Sequence, residues 1–358
     1  MAAYTTIDDP SAHFQSFLYT GNGSNRTITL PGNSDLKFDL YWYKQRSQTG
    51  HHRMFDTSRG LSVELYPDLT NAESSATYFN NQQANSFDII ANDSATNTGD
   101  VTFANWQWKA NGGTTSTNTT GNGIDSVVQA NTTAGFSIVT YTGNGTQSGQ
   151  TVGHGLGAVP KMIISKDRTN SSNVVSWRVY HVGIGPTKYI ELQSNAAQST
   201  FNDWDDTAPT SSVYSVGGAG GYTPTNTNNA LYVAYVFADV QGYSRFSSYI
   251  GNGNADGAFV YTGFKPAWVL IKQVTDAAGD DWILYDNKRE PENVAIKKLF
   301  PNQSAAESSS YDSIDMLSNG FKARTNLGGT NSNNKTYIYM AFAENPFTTS
   351  TGIPTTAR

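Results

Sequence analysis

Clustered acidic side chains are the first candidates for chemistry, because two carboxylates held roughly 5–10 Å apart can hydrolyse a glycosidic bond. The clusters lie in Ser-, Asn- and Gly-rich stretches, where an aspartate typically caps a backbone N–H group. None of them recurs at a matching place along the chain, so we expect no catalytic residue. A calcium site stays an alternative, since clustered loop oxygens bind that ion. The clusters are Asp203, Asp205 and Asp206; Asp280 and Asp281; and Asp312 and Asp315.

Other catalytic and cofactor patterns are absent from the sequence. The five histidines have no zinc-like spacing, and His51 and His52 would point to opposite faces of a strand. There is no G-x-S-x-G motif and no glycine-rich loop followed by a lysine and a helix. We therefore predict a protein that is not an enzyme and that holds neither a metal nor a cofactor.

Three lysines, each at the end of an apolar strand, form the most regular charged pattern. Each is followed 12–15 residues later by a second strand that ends in an aspartate, or in His181 in the middle copy. In the first and last copies an arginine follows the aspartate by three residues. Because a lone buried charge is costly, the pattern predicts a structural clasp, either an ion pair or a hydrogen bond between neighbouring strand ends. The clasp residues are Lys44, Lys166, Lys272, Asp56, Asp286, Arg59 and Arg289.

These lysines belong to an internal repeat. A Gly-Asn-Gly motif begins at Gly21, Gly143 and Gly251, and the lysine follows its first glycine by 23, 23 and 21 residues. An aromatic strand closes each copy 82, 89 and 86 residues after the same glycine. A fixed order of landmarks at near-constant spacing predicts tandem copies of one module of roughly 110 residues.

The repeat and the breaks in composition predict the domain boundaries. The stretch 114–133 is the best linker, because it begins with a low-complexity Thr/Ser/Asn/Gly run. The join between the second and third modules is short and aromatic, so these two modules should pack as a rigid pair. The predicted segments are a lead-in (1–16), module 1 (17–113), the linker (114–133), module 2 (134–239), module 3 (240–347) and a tail (348–358).

Composition favours an all-β fold and restricts the partners. Aromatic and β-branched strands alternate with Gly/Asn/Ser/Thr turns, which predicts three tandem antiparallel β-sandwiches. A net charge of −6 argues against nucleic acid. The N-terminus has no basic and apolar signal pattern, and no apolar run is long enough to span a membrane.

Loop aromatics are the candidates for contact with a ligand or partner. Aromatic rings beside amide and hydroxyl groups stack on sugars or form the centre of a protein interface. The sequence leaves these two uses open. The candidates are Trp204, Tyr214, Tyr222 and Tyr311.

Three longer phrases, Tyr4–Ala12, Gly135–Gly143 and Tyr337–Phe347, resemble a family of virion proteins from tailed bacteriophages of marine bacteria, notably cyanophages. The likeness covers about residues 4–347. It implies repeated lectin-like sandwiches of the concanavalin or SPRY type, and a tail-fibre-like or structural protein on the exterior of the particle, made in the host cytoplasm. The family supplies no catalytic residue.

The resemblance leaves several roles open. The main expectation is a structural protein of the tail or head exterior that contacts other virion proteins, forms a homo-oligomer and serves host attachment. The alternatives are a receptor-binding lectin for cell-surface glycan and a capsid decoration (cement) protein. Three modules in one chain can also form a pseudo-threefold cluster that matches a symmetric site on the virion.

Overall fold

The computed structural model describes residues 4–90, 95–169, 175–276 and 279–355. Within them the fold is all-β, as predicted, with 27 strands and one short 3₁₀ helix at Pro10–Ala12. Asp9 caps this helix by accepting a hydrogen bond from the Ser11 N–H group. Strands are numbered β1 to β27 in chain order, and their pairing falls into three sets, called units 1, 2 and 3.

Unit 1 (residues 14–108) contains a six-stranded and a three-stranded sheet, both antiparallel. The large sheet has the order β1-β9-β3-β4-β5-β6, and the small sheet has the order β2-β8-β7. The strands are β1 (Phe14–Thr20), β2 (Arg26–Thr29), β3 (Leu40–Gln45), β4 (Arg53–Asp56), β5 (Gly60–Leu65), β6 (Ser74–Ser75), β7 (Phe79–Asn80), β8 (Ser86–Ile89) and β9 (Thr102–Trp108).

Unit 2 (residues 116–237) has the largest sheet, with the order β10-β12-β13-β20-β15-β16-β17-β18, and a small sheet with the order β11-β14-β19. Its β11 and β14 pair in parallel. The strands are β10 (Ser116–Asn118), β11 (Gly123–Ile124), β12 (Ser126–Asn131), β13 (Phe136–Thr142), β14 (Gln150–Gly153), β15 (Met162–Asp167), β16 (Arg178–His181), β17 (Lys188–Glu191), β18 (Ser199–Thr200), β19 (Val213–Val216) and β20 (Leu231–Phe237).

Unit 3 (residues 244–346) has a four-stranded sheet, β21-β27-β23-β24, and a three-stranded sheet, β22-β26-β25. The strands are β21 (Ser244–Ile250), β22 (Phe259–Tyr261), β23 (Phe264–Gln273), β24 (Ile283–Asp286), β25 (Ile314–Leu317), β26 (Gly320–Ala323) and β27 (Thr336–Pro346). The orders β1-β9-β3-β4, β13-β20-β15-β16 and β21-β27-β23-β24 are the same arrangement in three places.

Both faces of each large sheet are buried. In β3, Tyr41 and Tyr43 pack against the small sheet of unit 1, whereas Leu40 and Trp42 point the other way. The second set of side chains enters one core that all three units share. This two-sided burial explains why the lysine-bearing strands are apolar on both faces, since a strand between two layers has no solvent side. All seven tryptophans are buried.

The stretch 114–133 differs from its prediction as a linker. It forms β10, β11 and β12, which extend both sheets of unit 2. The reason is that Ile124 and Val128 are buried in the core of unit 2, so the polar run is anchored by two aliphatic side chains. The three units also share one core, so unit 1 packs with the other two instead of standing apart from a rigid pair.

Candidate functional site

The three predicted lysines connect the units to one another. Each side chain is at most 1 % exposed and donates a hydrogen bond from Nζ to a backbone carbonyl oxygen of a different unit. The acceptor lies just before β6 in unit 1, just before β18 in unit 2 and in the segment after β24 in unit 3. The bonds run from Lys44 to Ser304 (3.3 Å), from Lys166 to Thr70 (2.9 Å) and from Lys272 to Asn195 (2.9 Å).

A second carbonyl oxygen, in the lysine's own unit, completes each ammonium site. Burial lowers the pKa of all three ammonium groups to about 8. Each lysine thus makes the hydrogen-bonded form of the predicted clasp, with backbone carbonyls as acceptors. The structure adds that one of the two bonds crosses to a neighbouring unit. The second bonds run from Lys44 to Gln45 (2.8 Å), from Lys166 to Val175 (2.6 Å) and from Lys272 to Asp280 (2.6 Å).

The predicted carboxylates pair with the predicted arginines. In unit 1, Arg59 Nε lies 2.5 Å from Asp56 Oδ2, and both side chains are fully buried. The same carboxylate oxygen accepts a hydrogen bond from the Tyr235 hydroxyl of unit 2 at 2.8 Å. Arg59 also contacts Glu73, which binds Arg168 of unit 2 at 2.9 Å. These linked charged side chains lie at the contact between units 1 and 2. Each contact between two units is called a seam.

The seam between units 3 and 1 repeats this arrangement. Arg289 Nε lies 2.6 Å from Asp286 Oδ2, which accepts a hydrogen bond from Trp106 Nε1 of unit 1 at 3.1 Å. Glu307 contacts Arg289 at 3.3 Å and receives a two-pronged bond from Arg46 of unit 1, both branches 2.9 Å long. Two planar guanidinium groups thus share one carboxylate across the seam.

The seam between units 2 and 3 has no such pair at the equivalent positions. His181 takes the place of the aspartate, Ile184 that of the nearby arginine, and Val274 that of the arginine on the other unit. His181 Nε2 donates to the carbonyl oxygen of Tyr339 in unit 3 at 3.1 Å, and Nδ1 accepts from the Gly183 N–H group. Burial lowers the pKa of His181 to about 4, so this ring is neutral at pH 7.

Backbone hydrogen bonds repeat on all three seams and close them into a ring. Each joins the N–H group three residues after the lysine's acceptor to the carbonyl oxygen two residues after the lysine. The three units are therefore related by a pseudo-threefold arrangement within one chain. The bonds run from Glu73 to Arg168 (2.9 Å), from Gln198 to Val274 (3.1 Å) and from Glu307 to Arg46 (2.8 Å).

The predicted contact aromatics divide into two buried and two exposed residues. Trp204 and Tyr214 are each 1 % exposed and belong to the core of unit 2, so the prediction that they contact a ligand is wrong. Trp204 packs edge-on against Tyr180 of β16 at a ring distance of 5.9 Å, and Tyr214 lies in β19. Tyr222 and Tyr311 are 45 % and 81 % exposed.

Tyr222 lies in a small polar and aromatic surface of unit 2. Its ring is 5.8 Å from that of Phe201, and its hydroxyl oxygen is 3.3 Å from Arg178 Nη2. The Arg178 guanidinium lies 3.9 Å from the centre of the Tyr189 ring. The same guanidinium lies 3.6 Å from the Asp203 carboxylate. Burial raises the pKa of Asp203 to about 7, and the charge of Arg178 opposes that rise.

A polar cleft of about 240 Å³ lies between units 1 and 3. Asp9 and Asn33 line it from unit 1 and its lead-in, and Lys288 and Glu344 line it from unit 3. Gln15 fixes one wall by donating to the Ser34 carbonyl oxygen and accepting from the Gly32 N–H group. The lining of this cleft therefore offers carboxylate, amide and ammonium groups as hydrogen-bond partners.

Three asparagines that sequence reasoning missed hold the repeated motif. Asn226, fully buried, accepts a hydrogen bond from the Asn144 N–H group at 2.9 Å and donates to Asn144 Oδ1 and the Thr146 carbonyl oxygen, both at 2.8 Å. Gly143 has no room for a side chain, because a Cβ atom there would lie 2.2 Å from the Thr227 carbonyl oxygen. A repeated Thr-Asn-Ser/Thr phrase was the available signal. The three asparagines are Asn97, Asn226 and Asn331.

Among residues 4–90, 95–169, 175–276 and 279–355, no three His, Asp or Glu side chains are grouped so that they could hold a metal ion. Asp205, from one predicted cluster, accepts a hydrogen bond from the Gly149 N–H group, which is the capping role expected for it. In the described part of the chain, no helix has the length and apolar character needed to cross a bilayer.

A family model described as a domain of unknown function (DUF7483) matches residues 9–346. This match covers all three units, from the cap of the first helix to the end of β27. No curated protein matches the chain.

Proposed function

We propose that this chain, which belongs to the family of the domain of unknown function DUF7483, is a non-enzymatic structural protein on the exterior of a tailed bacteriophage particle. It serves as a tail-associated or tail-fibre component, contacts other virion proteins and takes part in host attachment. The resemblance to virion proteins supports the location on a phage particle. The closed ring of seams supports a structural role.

The observation that carries the proposal is the closed set of lysine bonds. Lys44, Lys166 and Lys272 each reach a backbone carbonyl of the next unit, so no unit can shift without breaking two seams. Buried charged groups are costly unless every partner is in place, which makes partial opening unfavourable. A molecule held in this way keeps the outward surface of each unit in a fixed position relative to the other two.

A pseudo-threefold body is suited to a symmetric assembly. Three similar faces around one axis can contact three copies of a neighbouring protein at once, and linked contacts raise the overall affinity through effective concentration. Tail fibres and capsid lattices both offer threefold or multiple contacts. On a capsid, the same body would act as a decoration protein.

The location of the chain in the particle tests this proposal. Purified virions of the phage that encodes the chain should contain it in a fixed copy number, by quantitative mass spectrometry. Cryo-electron microscopy should show its three-lobed density on the tail or on the capsid exterior. Absence from purified virions would refute the proposal.

A receptor-binding lectin is the second candidate, favoured by the exposed Tyr222 ring beside Phe201 and by the polar cleft near Asn33. Aromatic faces beside amides are common sugar-binding surfaces. Saturable binding on a glycan array would support this role. Loss of that binding in Tyr222→Ala would assign it to the Tyr222 surface, and loss in Asn33→Ala to the cleft. Shortening of a glycan chain on incubation would instead indicate a hydrolase.

A further inference from the structure

Each small sheet contains one strand at an equivalent position, and the outer edge of that strand differs between the units. The equivalence follows from spacing: Leu30, Val152 and Val260 each lie nine residues after the first glycine of the motif. All three side chains are buried in the core of their unit. Strands β2, β14 and β22 therefore occupy one position in the fold, and their edges can be compared directly.

In unit 2 another strand covers this edge. The short β11 pairs in parallel with β14, placing Gly123 opposite Thr151 and Ile124 opposite Val152. The Thr151 N–H group donates to the Asn122 carbonyl oxygen at 3.0 Å. Ile124 is 4 % exposed and belongs to the core of unit 2. An extended Gly-Ile segment thus completes both the sheet and the core.

In unit 1 the edge carries features that oppose strand addition. Arg26 opens β2, and Pro31, which has no N–H group, follows just after the strand. Charges and prolines at an edge are the usual means by which natural sheets avoid pairing with other chains. Among the described strands none covers the edge of β2, and its sequence disfavours the addition of one.

In unit 3 no strand of the described residues covers the edge, and β22 itself contains no charged residue. Phe259, Val260 and Tyr261 form β22, with Phe259 and Tyr261 49 % and 57 % exposed. Val260 pairs with Phe321 and its backbone faces β26, so the N–H and C=O groups of Phe259 and Tyr261 face outward. No residue in the described ranges 4–90, 95–169, 175–276 and 279–355 forms a backbone hydrogen bond with these outward groups.

The nearest segment touches only the end of this strand. Tyr4 donates from its hydroxyl to the Gly263 carbonyl oxygen at 2.7 Å, and its oxygen lies 3.3 Å from the Tyr261 hydroxyl. This contact limits the strand at its C-terminal end, and within the described residues no strand pairs with the outward backbone groups of Phe259 and Tyr261.

We propose that the outer edge of β22 binds an extended segment of another polypeptide. The segment runs parallel to β22 and has the chemistry of β11, with a glycine opposite Phe259 and a β-branched aliphatic residue opposite Val260. Main-chain hydrogen bonds to Phe259 and Tyr261 provide the affinity, and the aliphatic side chain provides the selection. This interaction surface goes beyond the proposed virion role and does not depend on it.

A defined peptide tests the proposal, with the sequence of residues 118–126 of this chain, which contains β11, as the probe. The full-length protein should bind the fluorescein-labelled peptide saturably at sub-millimolar to millimolar concentration, by fluorescence anisotropy. Amide shifts in the NMR spectrum should concentrate at residues 257–263. A peptide with Asp in place of the isoleucine should bind at least tenfold more weakly.

Two protein variants and one control complete the test. Phe259→Lys adds a charge at the edge and Tyr261→Pro removes an outward N–H group, and each should weaken binding at least tenfold. Phe259→Lys changes an exposed side chain, and Tyr261→Pro removes an outward N–H group. Circular dichroism verifies that each variant folds. Either folded variant alone can therefore test whether the peptide binds at this edge. Val159→Lys changes an exposed valine of unit 2 and should bind normally. Absence of saturable binding, or binding unchanged in the folded edge variants, would overturn the proposal.

Discussion

Lys166 Nζ lies 2.9 Å from the carbonyl oxygen of Thr70, although 96 positions separate the two residues in the chain. The bond crosses from unit 2 to unit 1, and Lys44 and Lys272 make its counterparts at the other two seams. A charge that is nearly fully buried is therefore used as a connector between units, with backbone oxygens as its partners.

Lys272→Met should lower the free energy of unfolding by roughly 1–3 kcal/mol, because the Asn195 and Asp280 carbonyl oxygens lose a buried donor. Denaturation in urea, followed by fluorescence of the buried tryptophans, measures the change. Lys288→Met is the matched control: this exposed lysine should change stability by less than about 0.5 kcal/mol. Equal effects of the two substitutions would contradict the role of Lys272.

Asp286→Ala should cost about 3–5 kcal/mol, since it leaves the fully buried Arg289 without its carboxylate. The double variant Asp286→Ala/Arg289→Met should recover part of this loss, because the unpaired charge is gone. Asp256→Ala, which breaks a solvent-exposed pair with Lys322 in the same unit, should change the free energy of unfolding far less than Asp286→Ala does. Additive losses in the Asp286 and Arg289 double variant would argue against a coupled clasp.

Acid should weaken the seam between units 2 and 3. His181 has a folded-state pKa of about 4, below its ordinary value of 6.5, so the unfolded chain binds the proton first as the pH falls. The contribution of His181 is fully present above pH 6.5 and is lost as the pH falls toward 4, by about 3 kcal/mol in total.

Unfolding in urea at pH 7, 5.5 and 4 measures this loss. The other histidines titrate in the same experiment, so the comparison is with His181→Gln, which should be less stable than the parent at pH 7. The difference between the two proteins should shrink as the pH falls. A constant difference across the range would show that His181 does not titrate in this way.

Asn226→Ala should destabilise the protein by about 2–4 kcal/mol, because three hydrogen bonds to the Gly-Asn-Gly loop are lost in a buried site. Asn97→Ala and Asn331→Ala should have similar effects, since they make the same bonds in units 1 and 3. Asn228→Ala, two residues along and exposed, is the control and should be nearly neutral. Thermal unfolding by calorimetry compares the four variants.

Much of the β-architecture was readable from the repeat, because landmarks such as Gly143 and Lys166 recur in order and at constant spacing. The partners of the lysines were not readable. Their acceptors are backbone carbonyls in distant loops. Because every residue type has a backbone carbonyl, the sequence does not show which residues act as acceptors. The Asp–Arg pairs were predicted because three positions separate their members. Glu73 and Glu307 bind arginines of another unit, and no sequence pattern marks them.

The errors have related causes. Trp204 and Tyr214 stand among Ser, Asp and Thr residues, which resemble an exposed loop, yet Tyr214 lies in β19 and both rings are buried in the core of unit 2. The stretch 114–133 resembles a linker by composition, and only two aliphatic residues in it, Ile124 and Val128, record that it enters the core. Composition averages over such anchors, so burial of a polar segment is hard to detect in a single sequence.

The replacement of the charged clasp by His181, Ile184 and Val274 at one seam has a consequence for how this molecule can change. In a trimer of identical subunits, any substitution would appear at all three seams at once. Here each seam is encoded by its own residues. The seam between units 2 and 3 can therefore lose its ion pairs while its two counterparts keep theirs.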